Sequence, residues 1–144
     1  MQVLIQRVLE AQVRVSDNVI GEIGPGLLLL LGVEKTDSGT EVEKLVNKVL
    51  NYRIFSDKTG QMNESLLDVG GELLVISQFT MAANTKKGLR PSFSSAAAPT
   101  EAEALYQLFV DHANKFLRVQ TGLFGADMQV SLINEGPVTF LLSG

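Results

Sequence analysis

The rhythm of apolar and polar positions predicts short strands at the start of the chain, a mixed helical and strand middle, and strands again at the end. Val3, Ile5 and Val13–Val15 alternate with polar neighbours at period two, as a half-buried strand does, and Arg7 stands among them as a cation in apolar company. Asp17-Asn18 predicts a turn and Val19–Ile23 the returning strand. Gly24-Pro25-Gly26 predicts a second turn, and the apolar run Leu27–Val33 a strand buried on both faces. After a loop at Thr36–Gly39 the period changes. Val42, Leu45, Val46, Val49 and Leu50 fall on one face of a helix over Glu41–Leu50, with Thr40 and Glu43 at capping-box spacing. Tyr52–Phe55 reads as a strand and Ser56–Gly60 as a turn cluster. Leu73–Ile76 is a second continuous apolar run of strand length. Leu105, Leu108, Phe109, His112 and Phe116 mark the buried stripe of a second helix over Glu101–Phe116, with Thr100 and Glu103 as its capping box. A Gly-punctuated connection, Gln120–Gly125, leads to strands at Met128–Ile133 and Val138–Leu142, joined across Asn134-Glu135-Gly136-Pro137. These elements predict a three-layer α/β/β domain. Two helices lie on one face of a mixed sheet, and a second small sheet covers the other.

Length and composition narrow the picture. A chain of 144 residues fits a single domain, residues 1–144, and 45% apolar with 19% charged residues is a globular balance. No apolar run approaches the roughly 18 residues of a membrane span, and the N-terminus lacks a basic region followed by a long apolar one. The chain has no cysteine, so it holds no disulfide, thiolate nucleophile or Cys-based zinc site. These features point to the cytoplasm and away from a membrane. A net charge of −4 argues against broad non-specific binding to nucleic acid, DNA included, so any RNA contact has to be local.

The candidate chemistry sits in three places. Leu73–Ile76 turns polar without a breaker at Ser77-Gln78-Phe79-Thr80, so a buried strand delivers hydroxyls, an amide and main-chain N–H groups to one edge of a rigid sheet. Such N–H groups can stabilise an acyl-transfer intermediate without a titrating side chain. The plainer reading is a strand running into a loop. The irregular stretch Asn84–Ala98 carries Lys86, Lys87, Arg90, Ser92 and Phe93, a combination suited to phosphate or nucleotide contact, or to a solvated loop. Gly136-Pro137 is a candidate cis peptide, because an X-Pro bond loses most of the trans preference. The sequence shows no G-x-S-x-G elbow, no H-E-x-x-H and no P-loop. His112 is the one histidine and reads as a packed helix residue. No metal or cofactor is expected.

At two of these places the sequence resembles the D-aminoacyl-tRNA deacylases. Ser77-Gln78-Phe79-Thr80 and Gly136-Pro137-Val138-Thr139 match that family's two signatures. Leu4-Ile5-Gln6-Arg7-Val8, Leu31-Gly32-Val33, Tyr52-Arg53-Ile54-Phe55, Arg90-Pro91-Ser92-Phe93 and Thr121-Gly122 through Met128 also fit, so the resemblance spans nearly the whole chain. Met81 stands where Leu is usual, and Glu135 where Asp is usual. The resemblance implies a homodimer that hydrolyses the ester between a D-amino acid and tRNA, and also glycyl-tRNA, with glycine mischarged on alanine tRNA as the expected case. It implies that Ser77, Gln78, Phe79 and Thr80 form the catalytic edge, with the main chain of Phe79 and Thr80 holding the scissile carbonyl. It further implies a cis Gly136-Pro137 that reaches into the partner's site and rejects L-amino acids. Arg7 is the candidate to orient the Gly-Pro carbonyls, and it is grouped with Lys86, Lys87, Arg90, Ser92 and Phe93 as substrate or tRNA contacts. Two catalytic pictures stay open, a Thr80 nucleophile and water assisted by the ribose 2′-hydroxyl. The competing classes are a non-catalytic binder of the tRNA 3′ end and a dimeric scaffold.

Overall fold

The computed structural model describes residues 1–144. In chain order the elements are β1 (Gln2–Val15), β2 (Asn18–Ile23), β3 (Gly26–Gly32), α1 (Gly39–Asn51), β4 (Phe55–Ser56), β5 (Met62–Glu64), α2 (Leu66–Val69), β6 (Glu72–Ser77), a 3-10 turn (Phe79–Ala82), α3 (Pro99–Ala113), β7 (Val119–Thr121) and β8 (Gln129–Ser143). One six-stranded mixed sheet runs β2-β1-β3-β6-β7, and β8 pairs with β1. The β3–β6 and β6–β7 pairs are parallel, and the pairs made by β1 are antiparallel. Gln2–Gln6 pair with both β3 and β8, so those two strands flank β1 on opposite edges.

The sheet folds over on itself, and the fold line can be located by residue. The register of β1 against β8 shifts between Val8 and Glu10, where Leu9 is left over. At the same level β2 gives way to β3 at Gly24-Pro25, and β8 inserts Glu135–Val138 opposite Arg7. Three neighbouring strands therefore break together, and bulges bend strands and increase their twist. A one-residue shift also exchanges the two faces of a strand. Before the bulge Val3 and Ile5 face the helices. After it Ala11 and Val13, still at odd positions, join Val8 in a second cluster with Ile23, Leu28, Leu74 and Ile76. The expected second β-layer is thus present, but it is the folded-over half of the same sheet.

The apolar runs alternate between these two cores. Leu27, Leu29, Leu31, Leu73 and Val75 face α1 and α3, while Leu28, Leu74 and Ile76 face the folded-over strands. That double burial is why neither run shows a polar alternate position. Each such side chain contributes about 1.5–3 kcal/mol relative to exposure.

The helices differ from expectation in detail. In α1 the predicted face, Val42, Leu45, Val46, Val49 and Leu50, is the buried one. Its N-cap is Ser38 and not Thr40, and the Glu41 carboxylate accepts from the Ser38 amide at 2.7 Å. Ser38–Glu41 and Thr40–Glu43 have the same spacing, and the earlier pair lets the helix begin one turn ahead of Val42. The buried stripe of α3 is Tyr106, Phe109, Val110 and Ala113, whereas Leu108 and Phe116 are exposed. The helix carries two overlapping apolar stripes, and the sheet takes the one with the smaller Ala113 at its end. Pro99 opens α3 at the first turn in place of a Thr100 capping box. The predicted strand Tyr52–Phe55 reduces to the short β4, because the Ile54 carbonyl accepts from Arg7 Nη1 at 2.8 Å and does not enter a ladder. The two strands expected at Met128–Ile133 and Val138–Leu142 are one strand, with Asn134–Pro137 as an irregularity inside it. Both halves run along β1, which is long enough to pair with each. No helix is long and apolar enough to cross a membrane.

Candidate active site

The parallel strand β6 ends at Ser77, and the chain turns tightly there. Gln78 N–H donates to the Leu31 carbonyl at 2.8 Å, which fixes the exit of the strand to β3. The 3-10 turn follows at once and packs down on Gly32. A Cβ at Gly32 would lie 2.8 Å from the Met81 Cβ, so this close approach needs glycine. Phe79 and Thr80 open the turn. The first amides of a helical turn have no internal acceptor, and the N–H groups of both residues find no main-chain partner.

Beside this turn lies a cleft of about 460 Å³. Ser77, Gln78 and Phe79 form one wall, and Ala97, Pro99 and Ala102 at the start of α3 form the second. Phe124–Met128 and Val130 close the third. The lining is mainly apolar and main chain, with Asp127 its one ionisable side chain. A second cleft of about 480 Å³ lies at Glu10–Gln12, Glu22–Gly24 and Ser131–Ile133, with Arg118. It contains none of the predicted site residues and no strand terminus that presents free amides.

Thr80 is exposed and lies outside the lining, and its hydroxyl accepts from Gln78 Nε2 at 2.6 Å. The Phe79 ring is 60% exposed and packs on Phe93, with centroids 5.1 Å apart and planes tilted by 43°. Asn84 and Ser92 exchange main-chain hydrogen bonds of 2.7 and 3.0 Å, closing a loop that carries exposed Lys86, Lys87 and Arg90 at its tip. The Ser95 hydroxyl donates to the Ala82 carbonyl at 2.8 Å, and Ala97 N–H to the Val33 carbonyl at 3.1 Å, tying the return of the segment to β3 and the turn. Phe79 and Phe93 are thus brought together, and the cations stand at the tip of the loop that leads to Phe93.

Gly136 and Pro137 stand elsewhere, on the fold line of the sheet, and line no part of the cleft of their own chain. Their peptide bond is cis, and Gly136 has φ +128. Asn134 Oδ1 accepts from Val138 N–H at 2.8 Å across the bulge. Arg7 is buried at 8% exposure, with Nε 3.2 Å from the Glu135 carbonyl and Nη1 on the Ile54 carbonyl. Its bonds hold it at the bulge, whereas the loop cations it was grouped with, Lys86, Lys87 and Arg90, are exposed. It grips the residue before Gly136, one position short of the carbonyls expected. His112 lies half-buried on α3 against Phe116 and takes no part. The third wall of the cleft, Phe124–Met128, was missed as site-forming. Its signals were Gly122 and Gly125, which read as punctuation of a connection.

The model of the family described as D-Tyr-tRNA(Tyr) deacylase matches residues 4–143 of this chain. The chain belongs to this family. A D-aminoacyl-tRNA deacylase of Pseudoalteromonas translucida is 60% identical over 144 residues, covering 99% of each chain. One from Klebsiella pneumoniae is 58% identical over 143 residues at the same coverage. Among solved structures, one titled c-Myc DNA Unwinding Element Binding Protein superposes with a TM-score of 0.95 at 38% identity, covering 100% of this chain and 99% of that one. A probable eukaryotic D-amino acid tRNA deacylase superposes at 0.87 with 17% identity, covering 98% and 97%, and supports the fold of this family member.

Proposed function

We propose that this chain, acting as one domain over residues 1–144, hydrolyses the ester that joins a D-amino acid to the terminal adenosine of tRNA. The observation that carries the reading is the pair of unpartnered amides at Phe79 and Thr80, beside a cleft with no nucleophile and base in hydrogen-bonded contact. An ester carbonyl seated on those donors is polarised toward attack. Water adds to the carbonyl carbon, and the negative charge that develops on its oxygen is met by the two N–H groups. Collapse of the adduct breaks the bond to the ribose oxygen, which leaves with a proton and releases free D-amino acid and tRNA. The ribose 2′-hydroxyl is the group to relay that proton, since the chain offers no histidine there.

Selection against L-amino acids belongs in this reading to Gly136 and Pro137 of a second copy. Their distance from their own cleft and their exposure support a role in trans, within a two-fold dimer where each copy lends the same segment. A main-chain wall on one side of the α-carbon excludes an L side chain and leaves room for hydrogen, so glycine passes and glycyl-tRNA, including alanine tRNA mischarged with glycine, is a second substrate. Arg7 supports the bulge from below, while Lys86, Lys87, Arg90, Ser92 and Phe93 meet the RNA. The setting is proofreading in the cytoplasm.

The test is direct. Purified protein incubated with D-Tyr-tRNA and L-Tyr-tRNA should release D-tyrosine and leave the L-ester intact. Binding of uncharged tRNA with no hydrolysis of either ester would favour a 3′-end binding protein.

A further inference from the structure

We infer that the Phe79–Phe93 ring pair is a stacking seat for the penultimate base of the RNA, just outside the ester cleft. The inference rests on the deacylase reading and adds the nucleotide that this surface takes. Phe79 has two faces in the site. It lines the cleft, and its ring, 60% exposed, packs on that of Phe93, itself 40% exposed. Two large aromatic rings left half in water need a partner, and charge says which kind. From Thr80 to Thr100 the chain has three cations, Lys86, Lys87 and Arg90, and not one carboxylate, in a protein that carries 16 acids. An aromatic platform beside a cationic strip is the arrangement that holds single-stranded nucleic acid, with rings under bases and cations along phosphates. The cleft itself, at about 460 Å³, has the capacity for one ligand of drug size. An aminoacyl nucleoside is of that size, and in this reading the next base lies outside the cleft, where Phe79 and Phe93 offer exposed rings.

The experiment compares two substrates on Phe93→Ala and Phe93→Trp. D-aminoacyl-tRNA carries the penultimate nucleotide, and D-aminoacyl-adenosine does not. For Phe93→Ala the KM for the tRNA should rise about tenfold or more with kcat retained. Its kinetics on D-aminoacyl-adenosine should match the parent protein, and Phe93→Trp should restore the tRNA KM. Phe93 is partly exposed, so the thermal melt should barely move and serves as the folding control. Equal loss on both substrates, or an unchanged KM on tRNA, overturns the assignment. A fall in sedimentation mass with unchanged KM would assign the rings to contact between copies and also overturn it. If the parent protein hydrolyses neither substrate, the deacylase reading fails by itself. The stacking seat is then decided by a short RNA ending in CCA, whose Kd must weaken with Phe93→Ala and recover with Phe93→Trp, equal Kd values refuting it.

Discussion

Thr80 separates the two catalytic pictures at the level of one hydroxyl. A threonine nucleophile needs a base to take its proton. The Thr80 hydroxyl has the Gln78 amide nitrogen at 2.6 Å, a donor that cannot accept one. It is also exposed and outside the lining, while the Thr80 amide is free at the start of the turn. Thr80→Ala should therefore keep kcat/KM for D-aminoacyl-tRNA within about tenfold of the parent, because the backbone donors survive. Loss of a true nucleophile would cost several orders of magnitude. Rapid-quench mass spectrometry checks the same point, and an aminoacyl adduct on Thr80 would reverse this assignment. The residue types of the site were legible in the sequence, since Ser77-Gln78-Phe79-Thr80 interrupts an apolar run with no breaker. What the sequence hid was direction. Nothing in a linear pattern says that Phe79 lines a cleft while its exposed ring packs on Phe93, or that Arg7 is buried beside the bulge.

Elements were legible where one packing surface decides their pattern. The stripe of α1 meets one sheet face and was predicted residue for residue. β1 and β8 were harder, because each changes face along its length. Gln6, Arg7, Leu9 and Glu10 look like the end of one strand, yet they are the bend of a 14-residue strand. Asn134–Pro137 has the chemistry of a turn and is an insertion within a 15-residue strand. The start of β6 is fixed by charge. Glu72 accepts from the Gly24 amide at 2.9 Å and pairs with Arg118, tying β6 to the end of β2 and to the approach to β7. The Gly24 amide above all, and Arg118 with it, hold the Glu72 carboxyl below its ordinary pKa. A depressed carboxylate stabilises the fold above its unfolded-state pKa, and that support is lost as pH falls through the lower folded value. Stability should therefore drop as pH falls below the ordinary carboxylate range of about 4. Glu72→Gln should melt lower than the parent at pH 7, with the gap narrowing toward pH 3. Parallel melting curves across that range would remove Glu72 from the account. Glu72 is half-buried but its Arg118 partner is exposed, so the effect should be small.

At the scale of the whole molecule, the two halves of the proposed site do not meet within one chain. The free amides and the cleft lie at the end of β6, and Gly136-Pro137 lies on the fold line of the sheet. Beside that fold line Leu9 and Ile133, 48% and 47% exposed, add apolar surface to the same edge. Gly136 itself tolerates no side chain. Its φ of +128 suits glycine, and a Cβ would meet Val138 Cγ2 at 2.7 Å and Arg7 Nη2 at 3.2 Å. Gly136→Ala should thus displace the bulge and impair hydrolysis, while Phe79→Pro removes one of the two free amides beside the cleft. Each variant alone should be poorly active. Mixed in equal amounts, unfolded and refolded together, they should form heterodimers in about half of the population. In each heterodimer one cleft has an intact Phe79 and faces an intact Gly136 from its partner, and the other has neither. Activity on D-aminoacyl-tRNA should then return to about a quarter of the parent value per site. A site built within one chain predicts no recovery, because every cleft would keep its own defect. Absence of recovery in a mixture whose sedimentation mass is that of two chains would therefore place selectivity in cis and refute the shared site.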